Sequence, residues 1–379
     1  MKTLHPMFRA KPCHIARAFE LILTVALALA SAQAGTITTV ASTIPSNGDL
    51  NPYGVARVPT TTGSLTKGNI LVSNFNSSKN LQGTGTTIVQ IAPSGTVTLF
   101  AQIDPNNLPG PCPGGVGLST ALVALRTGWV IVGSVPTTDG TSATVQAGCL
   151  LVLDSSGHVV ETFFGSLING PWDMGAFDGG NNASLFVTNV LNGTVAGGGN
   201  IVHGGTVLRL DLNIPHGSMP NLQQMTIVGS GFAERTDPAA LVIGPTGVAL
   251  SHNDHRANNG HGGGQVLYVA DTLNNRIVAI EDPLQRNTSD GTGMTVFEGG
   301  ALNGPLGLEI APNGDILTVN GGDGYLVETK VEGKHGHQVR KVLLDNVGNG
   351  GGALFGLTDV AGQGIYFVDD NENALNLFH

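Results

Sequence analysis

The densest group of possible metal ligands is the H-N-D-H run at positions 252–255, which is followed by another histidine at position 261. Imidazole nitrogens bind Zn²⁺, Cu²⁺ and Ni²⁺, and carboxylates are common companions in such sites. The spacing matches no known metal signature, however, and histidines in a glycine-rich turn are often only solvated. Both interpretations stay open. The candidate metal ligands are His252, Asp254, His255, His261 and, further along the chain, Asp271.

Two acidic residues stand out on segments that the repeat pattern described below places at the centre of the fold. Asp173 follows Trp172 at a position where most other repeats carry a glycine, and Glu309 follows the run G-P-L-G-L. Carboxylates that converge on an axis can hold a hard cation such as Ca²⁺, or Zn²⁺, and can act as general bases. The alternative is that each is paired within the fold. Asp173 and Glu309 are therefore candidate catalytic residues.

Other chemical motifs do not appear in the sequence. There is no G-x-S-x-G nucleophile elbow, no H-E-x-x-H zinc motif and no phosphate-binding loop. A divalent metal, Ca²⁺ or Zn²⁺, is the one cofactor that the residue types suggest.

The elements that would position these residues are best seen in residues 264–280, which read G-Q-V-L-Y-V-A-D-T-L-N-N-R-I-V-A-I. The two runs of β-branched and aromatic residues predict two strands, and the Asp and Asn residues between them predict a turn. This stretch resembles the NHL repeat, with its Y-V-A-D run and N-N-R turn. The resemblance implies a β-propeller.

A similar unit recurs along the chain: a Gly/Pro-containing start, a short apolar strand, a second strand ending in Asn or Asp, and two more strands. Six units can be aligned. The last one lacks a strand, and residues 36–40 form a β-rich segment without a unit of their own. We therefore predict an all-β, six-bladed propeller of four-stranded antiparallel blades, in which the N-terminal strand completes the last blade. Seven blades are the main alternative.

This topology sorts the loops into two faces. If each blade meanders outward from the axis, its fourth-to-first and second-to-third connections share one face, which we call the top face. The first-to-second and third-to-fourth connections share the bottom face. Asp173 and Asp271 are then expected at the top face. An ion on the axis would also lie there, with Asp173 and Glu309 as ligands or base. His252, His255 and His261 are expected at the bottom face.

The N-terminus is typical of an export signal. Four basic residues precede an apolar run at positions 21–30, and A-Q-A at positions 32–34 fits a signal-peptidase site. We expect residues 1–34 to be a signal peptide and residues 35–379 to be one propeller domain, secreted or periplasmic and monomeric. No later stretch approaches the length of a membrane span.

Cleavage of the signal peptide would change both the cysteine content and the net charge of the chain. Cys13 leaves with the signal, so Cys112 and Cys149 remain in an oxidising compartment, where a disulfide is favoured over two free thiols. Cleavage also removes four basic residues and Glu20, which changes the formal charge from −10 to −13. Nucleic acid and anionic membranes are disfavoured as partners because both need a basic surface.

Two functions from different classes remain. The interpretation that the sequence favours is a binding scaffold that presents enlarged loops to a protein or glycan. The alternative is a metal-dependent hydrolase or lyase with a divalent ion on the axis. NHL-like and related six-bladed propellers include lactonases, amidating lyases and strictosidine-synthase-like enzymes, and fold alone does not choose among them.

Overall fold

Twenty-five β-strands, numbered in chain order, build the described part of the chain. A computed structural model describes residues 35–251 and 265–379, and residues from Thr36 to His379 form one compact unit. The predicted signal peptide and the histidine-rich segment at positions 252–264 lie outside the described residues.

The strands of the first three blades follow the N-terminal strand β1 (Ile37–Ser42). Blade 1 contains β2 (Leu50–Arg57), β3 (Ile70–Asn76), β4 (Thr87–Ile91) and β5 (Val97–Gln102). Blade 2 contains β6 (Leu118–Ala124), β7 (Val130–Ser134), β8 (Leu150–Leu153) and β9 (Val159–Phe163). Blade 3 contains β10 (Pro171–Asp178), β11 (Asn182–Asn189), β12 (Val202–Asn213), β13 (Asn221–Asp237) and the short additional strand β14 (Leu241–Ile243).

The remaining blades follow the same meander. Blade 4 contains β15 (Pro245–Leu250), β16 (Val266–Asp271), β17 (Arg276–Glu281) and β18 (Met294–Glu298). Blade 5 contains β19 (Pro305–Ile310), β20 (Ile316–Asn320), β21 (Tyr325–Glu332) and β22 (His335–Leu343). Blade 6 contains β23 (Leu354–Val360), β24 (Gly364–Asp369) and β25 (Ala374–Phe378). The helical elements of the described residues are two short 3₁₀ turns, Thr272–Asn274 and Val347–Gly350.

The first strands of the six sheets contact one another in sequence, and β23 returns to contact β2, so the sheets close into a ring. The predicted all-β, six-bladed propeller is confirmed. Its apolar residues are buried in clusters between neighbouring blades, which explains why strands such as β16 are buried on both faces.

The ring is locked where its two ends meet. Strand β1 pairs antiparallel with β25, and Ile37 lies opposite Phe378. The backbone amide of Thr36 donates to the carbonyl of His379 at 2.7 Å, and the reverse bond is 3.0 Å. The predicted closure of the last blade by the N-terminal strand is confirmed.

The inner strands of neighbouring blades approach one another closely at positions where they carry glycine. A Cβ atom on Gly247 would lie 2.2 Å from the carbonyl oxygen of Leu306, and one on Gly307 would lie 2.1 Å from that of Phe355. Strand β6 of blade 2 carries no glycine at this level. Its register shift runs from Leu118 to Leu122, one residue longer than the shift from Pro245 to Val248 in blade 4.

The disulfide prediction is confirmed. Cys112 precedes blade 2 and Cys149 immediately precedes β8, and their Cα atoms lie 5.1 Å apart with an S–S bond of 2.07 Å. Both residues lie at the top face, as the topology predicts. Among the described residues, no helix is long and apolar enough to span a bilayer.

Candidate functional site

A cavity of about 510 Å³ occupies the axis of the ring. All six inner strands contribute to its wall, so residues that are far apart in the sequence meet there. Its charged and hydroxyl-bearing lining residues are Arg57, Thr120, Arg126, Asp173, Asp178, Glu309 and Thr358. The cavity therefore combines carboxylates from blades 3 and 5 with arginines from blades 1 and 2.

Aromatic side chains close the top end of the channel. The Tyr53 ring stacks on Phe75 and Phe355 at centroid distances of 4.3 and 3.8 Å. Trp172 meets Tyr53 and Phe75 edge-on, at 6.1 and 5.7 Å. These side chains belong to one buried cluster, which Leu241 beside the β13–β14 turn also joins. We call Tyr53, Phe75, Trp172 and Phe355 the aromatic plug. Because the plug fills the top end, the cavity that positions 35–251 and 265–379 enclose opens at the bottom face.

Asp173 lies on β10 directly below the plug, at the level where Gly247 and Gly307 line the neighbouring blades. Its Oδ1 atom accepts a hydrogen bond from the amide of Met174 at 2.8 Å, and the amide of Val248 donates to the same carboxylate. Burial raises the pKa of Asp173 to about 7, and the negative charge of Glu309 adds to the increase. The carboxyl group is only partly enclosed and remains in contact with the cavity.

Glu309 lies on β19 and faces the same cavity from blade 5. Its Oε1 atom accepts from the amide of Ile310 at 3.0 Å, and the hydroxyl of Thr358 also donates to this carboxylate. Burial raises the pKa of Glu309 to about 7, and the nearby charge of Asp359 contributes. Two carboxyl groups whose pKa values are raised to about 7 therefore line one cavity, which is what acid–base chemistry near neutral pH requires.

The structure differs from the sequence-based expectation that Asp173 and Glu309 lie at the top face. The aromatic plug separates both residues from that face, and the cavity that they line opens toward the bottom face. The physical reason is that large aromatic side chains from blades 1, 3 and 6 meet at the top end of the axis. Sequence periodicity could not show this, because it does not tell which side chains fill the hole.

Asp271 lies outside the cavity. It is fully buried at the end of β16, where its Oδ2 atom accepts from Nε of Arg276 at 2.7 Å and from Nδ2 of Asn274 at 3.0 Å. An adjacent guanidinium already balances its charge. Asn275 adopts the left-handed conformation predicted for this turn. His252, Asp254, His255 and His261 lie outside the described residues.

The described residues do not fit a divalent metal site. Within positions 35–251 and 265–379, no three His, Cys, Asp or Glu side chains come together in a way that could hold an ion. Asp173 and Glu309 supply two carboxylates, and each already accepts backbone hydrogen bonds. We therefore assign no step of the chemistry below to a metal.

Sequence reasoning missed the residues at the mouth of the cavity. Asp178 ends β10 and Arg126 follows β6, and their side chains pair across the blade interface at 3.5 Å. Arg57 ends β2 at the same rim. The signal that could have found them is a charged residue at the end of a predicted inner strand, which points toward the bottom of the ring.

No protein-family model and no curated protein matches this sequence. Among solved structures, the chain is similar to a gluconolactonase from Xanthomonas campestris, with a TM-score of 0.51 and 13% identity over 91% of this chain and 89% of that one. A PQQ-bound aldose sugar dehydrogenase from Streptomyces coelicolor gives 0.53 and 16% over 91% and 97%. A calcium-binding regucalcin from Agrobacterium tumefaciens gives 0.51 and 13% over 89% and 92%.

These neighbours contradict the interpretation of the chain as a binding scaffold. Two of the solved structures that share its fold are a lactonase and a dehydrogenase, and this is the finding that overturns it. The identities are low, and the likeness establishes the fold rather than the reaction. The NHL-repeat resemblance stays a prediction. The chain is therefore similar in fold to a group of six-bladed propellers that includes sugar-lactone and sugar-converting enzymes.

Proposed function

We propose that this protein is a hydrolase or lyase of small polar molecules, and that a lactone is its substrate. The observation that carries the proposal is the pair Asp173 and Glu309. Both have a pKa raised to about 7, and both line one axial cavity that is closed at one end. Strongly perturbed carboxyl groups in a cleft are enriched at catalytic sites.

The pair can move protons in both directions near neutral pH. Because the charge of Glu309 raises the pKa of Asp173, the state in which one group is protonated and the other is ionised is favoured. The ionised carboxylate takes a proton from a water molecule, whose oxygen attacks the lactone carbonyl carbon. The protonated carboxyl then gives its proton to the ring oxygen as the C–O bond breaks. The product is the open hydroxy acid.

The same two groups would serve a lyase. There the carboxylate removes a proton from a carbon next to a carbonyl, and the carboxylic acid protonates the leaving group on the neighbouring carbon. The lactone reaction is preferred because the gluconolactonase neighbour is named for it.

The cavity limits the size of the substrate. Its volume of about 510 Å³ lies in the range of small-molecule sites, and the aromatic plug prevents a chain from threading through the ring. The substrate therefore enters and the product leaves by the bottom face. We further propose that the protein works outside the cytoplasm, which the disulfide and the N-terminal segment support.

The test is turnover of a panel of sugar lactones and aliphatic lactones by the purified protein. Asp173→Asn and Glu309→Gln should each lower kcat by about a hundredfold or more, the usual contribution of a general acid or base. The matched control is Glu328→Gln, which neutralises a half-buried glutamate on β21 of the same blade as Glu309, away from the cavity.

The control variant should keep the wild-type rate. No turnover of any lactone by the wild type would refute the lactone proposal. Wild-type rates in both cavity variants would refute the role of the carboxyl pair.

A further inference from the structure

Two arginines line the mouth of the axial cavity. Among the described residues, the cationic side chains of the lining are Arg57 from blade 1 and Arg126 from blade 2, and Asp178 is acidic at the same rim. The two arginines belong to neighbouring blades, so they occupy one side of the opening. The catalytic carboxyl groups come from blades 3 and 5.

Arg126 binds Asp178 of the neighbouring blade. Its backbone amide donates to Oδ2 of Asp178 at 2.6 Å, and its Nε lies 3.5 Å from the same oxygen. Its Nη2 also donates to the backbone carbonyl of Asp178. This network joins blades 2 and 3, and the Arg126 guanidinium is engaged within the protein by Asp178.

Arg57 is different. Its side chain is exposed at the end of β2, and no ion pair or hydrogen bond of its guanidinium is formed with any of the described residues. A guanidinium presents its donors in a fixed fork that matches a carboxylate or phosphate. An uncommitted arginine at the opening of an acidic cavity, in a chain with a formal charge of −10, is therefore suited to an anionic ligand.

We propose that Arg57 determines substrate specificity by binding an anionic group on the substrate, at the end that remains at the cavity mouth. This inference rests on the proposed function and deepens it: the substrate class is a hydroxylated lactone that carries a carboxylate away from the lactone ring. The reacting carbonyl then lies deep in the cavity near Asp173 and Glu309, and the anionic end lies at the rim.

The site can bind an anionic substrate because the reacting carbonyl and the anionic group lie at opposite ends of the substrate. An anion placed beside the catalytic carboxyl groups would be repelled, since like charges in a poorly solvated cavity interact strongly. At the water-exposed rim this repulsion is screened, and the charge of Arg57 offsets it. The substrate is thereby oriented in one direction.

The kinetic test compares two lactones of the same size. The lactone of gluconic acid ends in a hydroxymethyl group, and the corresponding lactone of glucaric acid ends in a carboxylate. Wild-type protein should have the lower KM for the second. Arg57→Gln should raise that KM about tenfold while changing the KM for the neutral lactone little, as expected for one charge-assisted contact.

Two variants separate recognition from general charge. Lys67→Gln removes one positive charge from an exposed residue of the same blade that does not line the cavity, and it should leave both KM values unchanged. Arg57→Lys keeps the charge but not the fork, and it should recover only part of the discrimination. Equal effects of Arg57→Gln on both lactones, or the same effect from Lys67→Gln, would overturn the inference.

A binding measurement keeps the inference separate from the reaction. Calorimetric titration of wild-type protein with gluconate and with its neutral analogue glucitol should show tighter binding of gluconate, and Arg57→Gln should abolish the difference. Equal affinities in the wild type would overturn the role of Arg57 even if lactones are hydrolysed. Conversely, selective gluconate binding without lactone turnover would refute the proposed reaction and leave the anion site standing.

Discussion

Replacing Asp173 by asparagine tests whether a negative charge in the cavity lowers the free energy of unfolding. Asparagine keeps an oxygen that can accept from the amides of Met174 and Val248, so the local hydrogen bonds survive. What disappears is the ionisation. Because burial raises the pKa of Asp173, the folded chain still holds this proton at a pH at which the unfolded chain has released it.

The sign of the effect follows directly. The contribution of Asp173 to folding stability is fully present below its ordinary pKa of 3.8 and is lost as the pH rises through about 7. Each unit of pKa difference corresponds to ~1.4 kcal/mol, so the full loss is at most about 4 kcal/mol. Since the carboxyl group contacts a cavity that is open to water, we expect about half of this, ~2 kcal/mol.

The assay is denaturant unfolding of the wild type and Asp173→Asn at pH 3.5, which lies below the ordinary pKa of the carboxyl group, and at pH 8. The variant should be more stable than the wild type by ~2 kcal/mol at pH 8 and nearly equal to it at pH 3.5. Asp104→Asn, at an exposed turn, serves as the control and should show no such difference between the two pH values. The reasoning would be refuted if Asp173→Asn destabilised the protein equally at both pH values.

Three further predictions concern other parts of the structure. Thr358→Val removes the hydroxyl that stabilises ionised Glu309, so the pKa of Glu309 should rise, and the limb of the pH–activity profile that reports it should move to higher pH; an unmoved limb would contradict the contact. Replacing both Cys112 and Cys149 by serine should lower the free energy of unfolding by about 2–4 kcal/mol, measured by thermal denaturation, and a reductant should then have no additional effect. Deleting residues 36–42 removes β1 and exposes the edge of β25, so size-exclusion chromatography should show association or aggregation; a stable monomer would argue against the role of this closure.

Much of the fold could be predicted because the propeller is built from local units. Each blade is a short antiparallel meander, and the runs of β-branched residues, Asx turns and Gly/Pro starts are all visible within about 50 residues. The stretch around Tyr268 shows this most clearly, since both strands and the turn of the 3₁₀ helix match the expectation. Blade 2 shows the limit. Its inner strand has no glycine and one residue more in its register shift than the inner strand of blade 4, because close backbone contact between blades is not visible in local periodicity.

The candidate site could be predicted only in part. Asp173 could be predicted as a candidate because it replaces a glycine of the repeat. Glu309 could be predicted because a charged residue on an inner strand must either be paired or face the axis. That the charge of Glu309 acts on Asp173 depends on the closure of the ring, which brings blades 3 and 5 to one axis. The roles of Arg57 and the aromatic plug could not be predicted for the same reason, since the cavity and the plug are each built from several blades.

The sequence by itself determined the repeated β-meander, the number of blades, the pairing of the two cysteines and the strand that closes the ring. These features depend on local periodicity, on composition and on counting strands. Only the tertiary structure decided which end of the channel is open, because four aromatic side chains from three blades fill the other end. It also decided that two carboxyl groups share a cavity, because burial and mutual repulsion exist only once the ring has formed.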